Sequence, residues 1–248
     1  MAEKQLNYDR KIVPQETGWW CGPAATQVVL NAAGVRLQER FIAGVIEELE
    51  NPGRGDDRDG TDYVGLIERF LDQQVPEAKY TSVFMPNDPP TKAQKDKLWN
   101  NLKSSIDAGW GVVANIVAPP NNLPAATKGS IAPPYMRGLT TYHYVALMGY
   151  DDNPKNRAVW VADSAAFGGI TGFWCPFEGR GSITSLIPPK GYAYSQAVKA
   201  APEVKPVEDV AALSRRVDKL TEALTSLLRL IEKQNPEVLV AYLDATKG

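Results

Sequence analysis

The chain has 248 residues, 44% hydrophobic and 23% charged, with a formal net charge of −2. That make-up suits a globular protein with a normal core, one full-sized domain plus an appendage. The slightly acidic balance excludes a chain built to coat nucleic acid or an anionic membrane. The N-terminus, MAEKQLNYDRKIVPQETG, has no apolar core of a secretory signal, and no run of about 18 apolar residues occurs. Neither a signal peptide nor a membrane span is therefore expected. The two cysteines, Cys21 and Cys175, are too few for a disulfide framework and are read as free thiols.

Residues 1–20 read as an extended entry with a turn. A buried helix is predicted over 23–33 (PAATQVVLNAA), starting at or just after Cys21. Pro23 suits its first turn, where no amide donor is needed, and Gly34 suits its end. A second helix is predicted over 37–50. After the polar loop NPGRGDDRDG, Thr61 or Asp62 is expected to cap a third helix running to Gln74, and Thr91 a fourth over 92–108 that Gly109 closes.

The second half changes period. Residues 111–118 (GVVANIVA) read as a buried strand and 121–138 as a long loop rich in Pro, Ala and Gly. The β-type runs 142–150 and 158–162, separated by DDNPKNR, predict an antiparallel hairpin with a loose tip. Further strands are expected at 172–177 and 190–193. Helices followed by strands predict an α+β domain over 1–197. A linker, 198–206, then leads to a helical tail, 207–248. In the tail Val210, Leu213, Val217, Leu220, Leu224, Leu227 and Ile231 alternate spacings of three and four, a heptad seam. Self-association through this 210–231 helix makes a homo-oligomer the expectation; packing back on the domain is the alternative.

The residues able to do chemistry begin with Gln15 and Cys21-Gly22-Pro23. A cysteine attacks carbonyls as the thiolate, and a helix N-terminus lowers its pKa. Gly22 lets a backbone pass close to substrate and leaves room for a tetrahedral intermediate. Gln15, six residues upstream, can turn its amide toward a developing oxyanion beside the Cys21 amide. Trp19 and Trp20 are expected to shield the site or stack on substrate. A lone histidine is more often a surface or core residue, but a cysteine–imidazole pair here has one candidate, His143. Asp163, at the end of the run paired with the His143 run, is the choice to orient the ring; Asp151 and Asp152 fall at the hairpin tip. Cys175 reads as a packed thiol. Asp56, Asp57, Asp59 and Asp62 do not match the spacing of a calcium loop and read as a solvated loop. No P-loop, dinucleotide or zinc pattern occurs, so no metal or cofactor is expected.

With Gln15, Cys21-Gly22-Pro23-Ala24, His143-Tyr144 and Ala162-Asp163 in this order, the chain resembles the bacteriocin-leader-processing peptidases and their papain-like relatives. More narrowly, GWWCGPAATQVVLN, DGTDYVGLI, HYVALMGYDD and IPPKGYAY resemble the N-terminal peptidase domain of actinobacteriophage lysin A endolysins, over roughly residues 5–196. The resemblance implies a papain-like fold with Cys21 as nucleophile, His143 as base, Asp163 orienting it and Gln15 in the oxyanion hole. It also implies a substrate in the peptide part of the host cell wall, and an enzyme held in the host cytoplasm until a holin opens the membrane. Lysin A proteins usually carry glycan-cleaving and wall-binding domains after the peptidase; here a separate protein would supply them, or the tail would raise avidity. Two other readings stay open: a peptidase that processes a protein or leader peptide, and a non-catalytic, multimerising binding module of the same fold.

Overall fold

The computed structural model describes residues 2–55, 58–136 and 138–197. The predicted linker, 198–206, the tail, 207–248, with its 210–231 seam, and Asp56 and Asp57 lie outside the described residues. The described part is α+β, with helices early and an antiparallel sheet late.

Helix α1 (Cys21–Ala32) begins on the predicted cysteine. Pro23 lies in its first turn, and Gly34 (φ +83°) ends it. There the Val35 amide reaches Leu30 O and the Gly34 amide reaches Asn31 O, both at 3.0 Å. This double return satisfies the last carbonyls, and it needs a residue that tolerates the left-handed region. Nearly every residue of α1 is buried, because the helix is packed between the sheet and helices α2 (Glu39–Glu50) and α3 (Val64–Gln74). A helix this apolar all round belongs in a core.

Strand β1 (Glu3–Gln5) precedes α1, strand β2 (Tyr80–Phe84) follows α3, and helix α4 (Lys92–Asp107) comes next. Thr91 caps α4 through a reciprocal pair with Gln94. The rest is strand β3 (Val112–Ala118), strand β4 (Thr141–Asp151), strand β5 (Ala158–Asp163), strand β6 (Gly172–Pro176), the short helix α5 (Ile183–Leu186) and strand β7 (Gly191–Ser195). The sheet order is β2-β7-β3-β4-β5-β6, and β1 pairs with the end of β4 that β3 leaves uncovered. Alternation of side chains sorts the core into two layers. Val113, Tyr144, Ala146 and Met148 face the α1–α3 side, whereas Val112, Ala114, Ile116, Val145 and Leu147 face the side that α4 covers.

Three features depart from the sequence reading. Strands β1 and β2 were not expected; both are short pieces without a strong alternating pattern, and long-range pairing defines them. Helix α3 is preceded by Tyr63 rather than capped by Thr61 or Asp62. The Asp62 amide is instead taken by Glu50 Oε1 at 3.0 Å, and Thr61 is buried against Gly22. The long loop 119–140 is fastened at several points: the Ala125 amide to Gly181 O at 2.8 Å, the Thr127 amide to Trp174 O at 2.9 Å, and the Trp174 amide to Ser130 Oγ at 2.9 Å. No helix among the described residues is long and apolar enough to cross a membrane.

Near the end of β4 the pairing with β5 slips by one residue at Met148, between Leu147 and Gly149. A Cβ on Gly149 would stand 2.6 Å from Lys4 O and 3.0 Å from Gln5 Cα. Gly149→Ala is therefore expected to displace β1. Hydrogen exchange should accelerate at the amides of residues 3–6, while the amides of β3 keep their protection. Unchanged exchange at β1 would mean the backbone absorbs the methyl group.

Candidate active site

The strand register brings His143 and Asp163 together. Asp163 lies opposite Val145, and His143 is two residues from Val145 on the same face of β4. This diagonal places the two side chains on one side of the sheet, within reach of each other. His143 Nε2 and Asp163 Oδ1 are 3.0 Å apart. The carboxylate also accepts from the Tyr135 hydroxyl at 2.7 Å and the Ala165 amide at 3.1 Å. Asp163 is fully buried, so a charge there needs these donors.

Nε2 is engaged by Asp163. The Cys21 thiol, at the first residue of α1, lines the same cleft as the imidazole, close enough for each to shift the other's pKa. Burial pushes the Cys21 pKa up, but the hydrogen bond and charge of His143, with the backbone amides of Tyr144 and Gly22, more than reverse it; the thiol ends below its ordinary value. Burial pulls His143 down, and the Asp163 charge and hydrogen bond, aided by Cys21, carry it well above the ordinary imidazole range. The two shifts together favour a thiolate–imidazolium pair.

Gln15 shares a cleft wall with Cys21 and His143. Its amide accepts the Ser164 hydroxyl at Oε1 (2.9 Å), and its Nε2 donates to Thr17 O at 2.6 Å. Its backbone amide reaches Ser164 O at 3.0 Å. Thr17 O can only accept, so it fixes which end of the amide is nitrogen; one Nε2 hydrogen is left for a ligand. The loop that carries Gln15 is held from its other side by Glu39, a buried residue whose Oε1 accepts the Glu16 amide at 3.0 Å. Ser164, directly after Asp163, thus ties the carboxylate end of β5 to Gln15.

Gly22 differs from the expectation. The space of its missing side chain is filled by protein rather than left for an intermediate: a Cβ would meet Thr61 Oγ1 at 2.4 Å. What Gly22 offers the site is its amide, toward the sulfur. Trp19 lines the groove, with the Arg58 guanidinium 5.8 Å from its ring centroid. Trp20 is the residue before α1, its carbonyl accepting the Ala24 amide at 2.9 Å, and it is not among the residues that line the groove. Asp151 pairs with Lys128, and Asp152 lies 3.8 Å from Lys103, so neither serves His143. Cys175 is fully buried with its thiol on Gly181 O at 3.5 Å, and burial pushes its pKa up. Among the described residues no cluster of three His, Cys, Asp or Glu is placed to hold a metal ion.

Two residues escaped the sequence reading. Tyr135 sits in the long loop, packs edge-on against His143 (centroids 6.0 Å, 80°) and bonds Asp163. No periodicity marks it. Ser164 could have been suspected from its place beside Asp163. Cys21 and His143 stand where two lobes of a groove meet, one of about 610 Å³ and one of about 260 Å³, with Tyr142 also shared by both.

Comparison with known proteins bears on this arrangement. The Peptidase_C39 like family matches residues 7–172. No curated protein matches the chain. A solved structure from a study of limited antibody cross-reactivity between the mite allergens Blo t 1 and Der p 1 is 12% identical, covering 77% of this chain and 70% of that chain with a TM-score of 0.45.

The opposed shifts set a pH window. The thiolate–imidazolium pair exists above the lowered thiol pKa and below the raised imidazole pKa. Alkylation of Cys21 by iodoacetamide is expected to stay fast well below about pH 8.5, where an ordinary thiol protonates. Asp163→Asn removes the charge that holds His143 up, so its imidazolium is lost at lower pH and the acid-side advantage of Cys21 shrinks. A rate profile with an ordinary thiol midpoint in the native chain would contradict the ion pair.

Proposed function

The chain belongs to the Peptidase_C39 like family, and from that premise we propose that it is a papain-like cysteine peptidase using Cys21, His143, Asp163 and Gln15. The observation that carries this reading is a thiol at a helix tip, lowered by an imidazole that a buried carboxylate orients.

In this reading the Cys21 thiolate attacks the substrate carbonyl carbon, and the carbonyl oxygen takes the negative charge. The remaining Nε2 hydrogen of Gln15 and the Cys21 amide, free of an intrahelical partner at the first turn, stabilise that oxyanion. The His143 imidazolium gives its proton to the leaving amine as the C–N bond breaks, leaving an acyl thioester on Cys21. The now neutral ring takes a proton from water, and the hydroxide equivalent attacks the thioester. The acid departs as the sulfur leaves as thiolate, beside the imidazolium that the proton from water has already restored. Asp163 keeps the ring turned and supports its charge throughout. Ser164 acts as a positioning residue by holding the Gln15 amide.

The substrate we propose is the peptide part of bacterial peptidoglycan, with the chain acting as a phage-type endolysin. The motifs around Cys21, Asp62, His143 and Pro188 support this, as does a groove that is open on both sides of the thiol. Residence in the host cytoplasm until lysis belongs to the same reading. So do a homo-oligomer through 210–231 and a separate wall-binding or glycan-cleaving protein.

Digestion of purified peptidoglycan by the full chain should release new amino groups, with cut positions read by mass spectrometry. Cys21→Ala should abolish release. Ser164→Ala should lower kcat by about tenfold with KM little changed, the pattern of a support felt in the transition state. Intact peptidoglycan after treatment with a chain whose Cys21 alkylates rapidly would transfer the peptidase to a protein or leader-peptide substrate. A slow, ordinary thiol would favour a binding module.

A further inference from the structure

The two lobes of the groove differ in chemistry. The wider one is walled by Met136, Ala165 and Phe167, with Glu16 at its margin. The narrower one carries Asp59 and Asp62 from the segment before α3 and Lys190 from the turn before β7. Thr61, Asn115 and Tyr144 also line it. The bond-breaking steps use none of these groups.

Behind Asp62 stands Glu50, whose carboxyl is pushed above the ordinary carboxylate range by burial and by the neighbouring Asp62 and Glu47 charges. Glu50 Oε1 accepts the Asp62 amide at 3.0 Å, which holds Asp62 at the lobe. The Lys190 backbone is fixed at both ends, its amide on Ile187 O and its carbonyl taking the Met85 amide, each at 2.8 Å. Its ammonium lies 5.6 Å from the Tyr142 ring centroid, beside the catalytic pair. About 260 Å³ is room for a single amino-acid residue, and a lobe bearing both signs of charge suits a group bearing both.

We infer that the narrow lobe binds a free α-amino-acid end of the substrate, its ammonium against Asp62 and Asp59 and its carboxylate against Lys190. The inference rests on the peptidase reading of the groove. It specifies what stands on one side of the scissile bond: a residue whose amino and carboxyl groups are both unblocked, such as the free end of a diamino acid.

Because Cys21 lines the lobe, occupancy can be read without turnover. The full chain is alkylated with iodoacetamide in the presence of alanine, N-acetylalanine or alaninamide. Alanine at about twice its Kd should slow alkylation about threefold. Each blocked derivative should need about tenfold more for the same protection, since one charged hydrogen bond is lost. Asp62→Asn should erase the preference for a free amine, and Lys190→Met the preference for a free carboxylate. Equal protection by all three compounds, or protection by none, overturns the inference, and this comparison needs no variant. A Cys21 that fails to react below about pH 8 sinks the peptidase reading instead. Protection is then measured at about pH 9, where an ordinary thiol ionises, and the lobe is judged by the same three compounds.

Discussion

A 3.0 Å contact between an imidazole on β4 and a carboxylate on β5 governs this site. His143 is almost wholly buried, and burial alone would strip its charge. Asp163 reverses that, and its own carboxylate accepts hydrogen bonds from the Tyr135 hydroxyl and the Ala165 amide. The pairing of Val145 with Asp163 sets the distance. A slip of one residue would turn the carboxylate to the other face of the sheet. The bulge in the hairpin comes after this pair, at Met148, so the extra residue bends the strands without disturbing the register at the site.

The sulfur is placed by different means. Helix α1 is held on all sides, and its first turn is drawn close to the 58–63 segment because Gly22 has no side chain to keep Thr61 away. Once there, the thiol receives two backbone amides and the imidazole, and these outweigh the cost of burying a charge. Helix tip and strand end come from the two halves of the chain. The α1 contacts with β3, β4 and β5 join them, as does the Ser164 link to Gln15.

The helical half was legible because its signals are local. Pro23, Gly34 and Thr91 each do what their backbone chemistry dictates, and the apolar spacing fills in the rest. The Cys21 and His143 positions were legible for another reason: few residues can do this chemistry, and the chain has one histidine. What could not be read depends on contacts far apart in sequence. Strands β1 and β2 exist through their partners. Tyr135 reaches Asp163 from a loop whose composition suggested only irregular chain. Gly22 was read as a place of close approach to substrate, but the space of its missing side chain is taken by Thr61.

The loop 119–140 forms part of the groove wall through Met136 and Thr140, and its Tyr135 is bonded to the carboxylate that steers the imidazole. Swinging that wall outward would strip Asp163 of a donor and loosen the ring in the same motion. Access and reactivity are thus mechanically joined: the loop that walls the groove also holds the carboxylate.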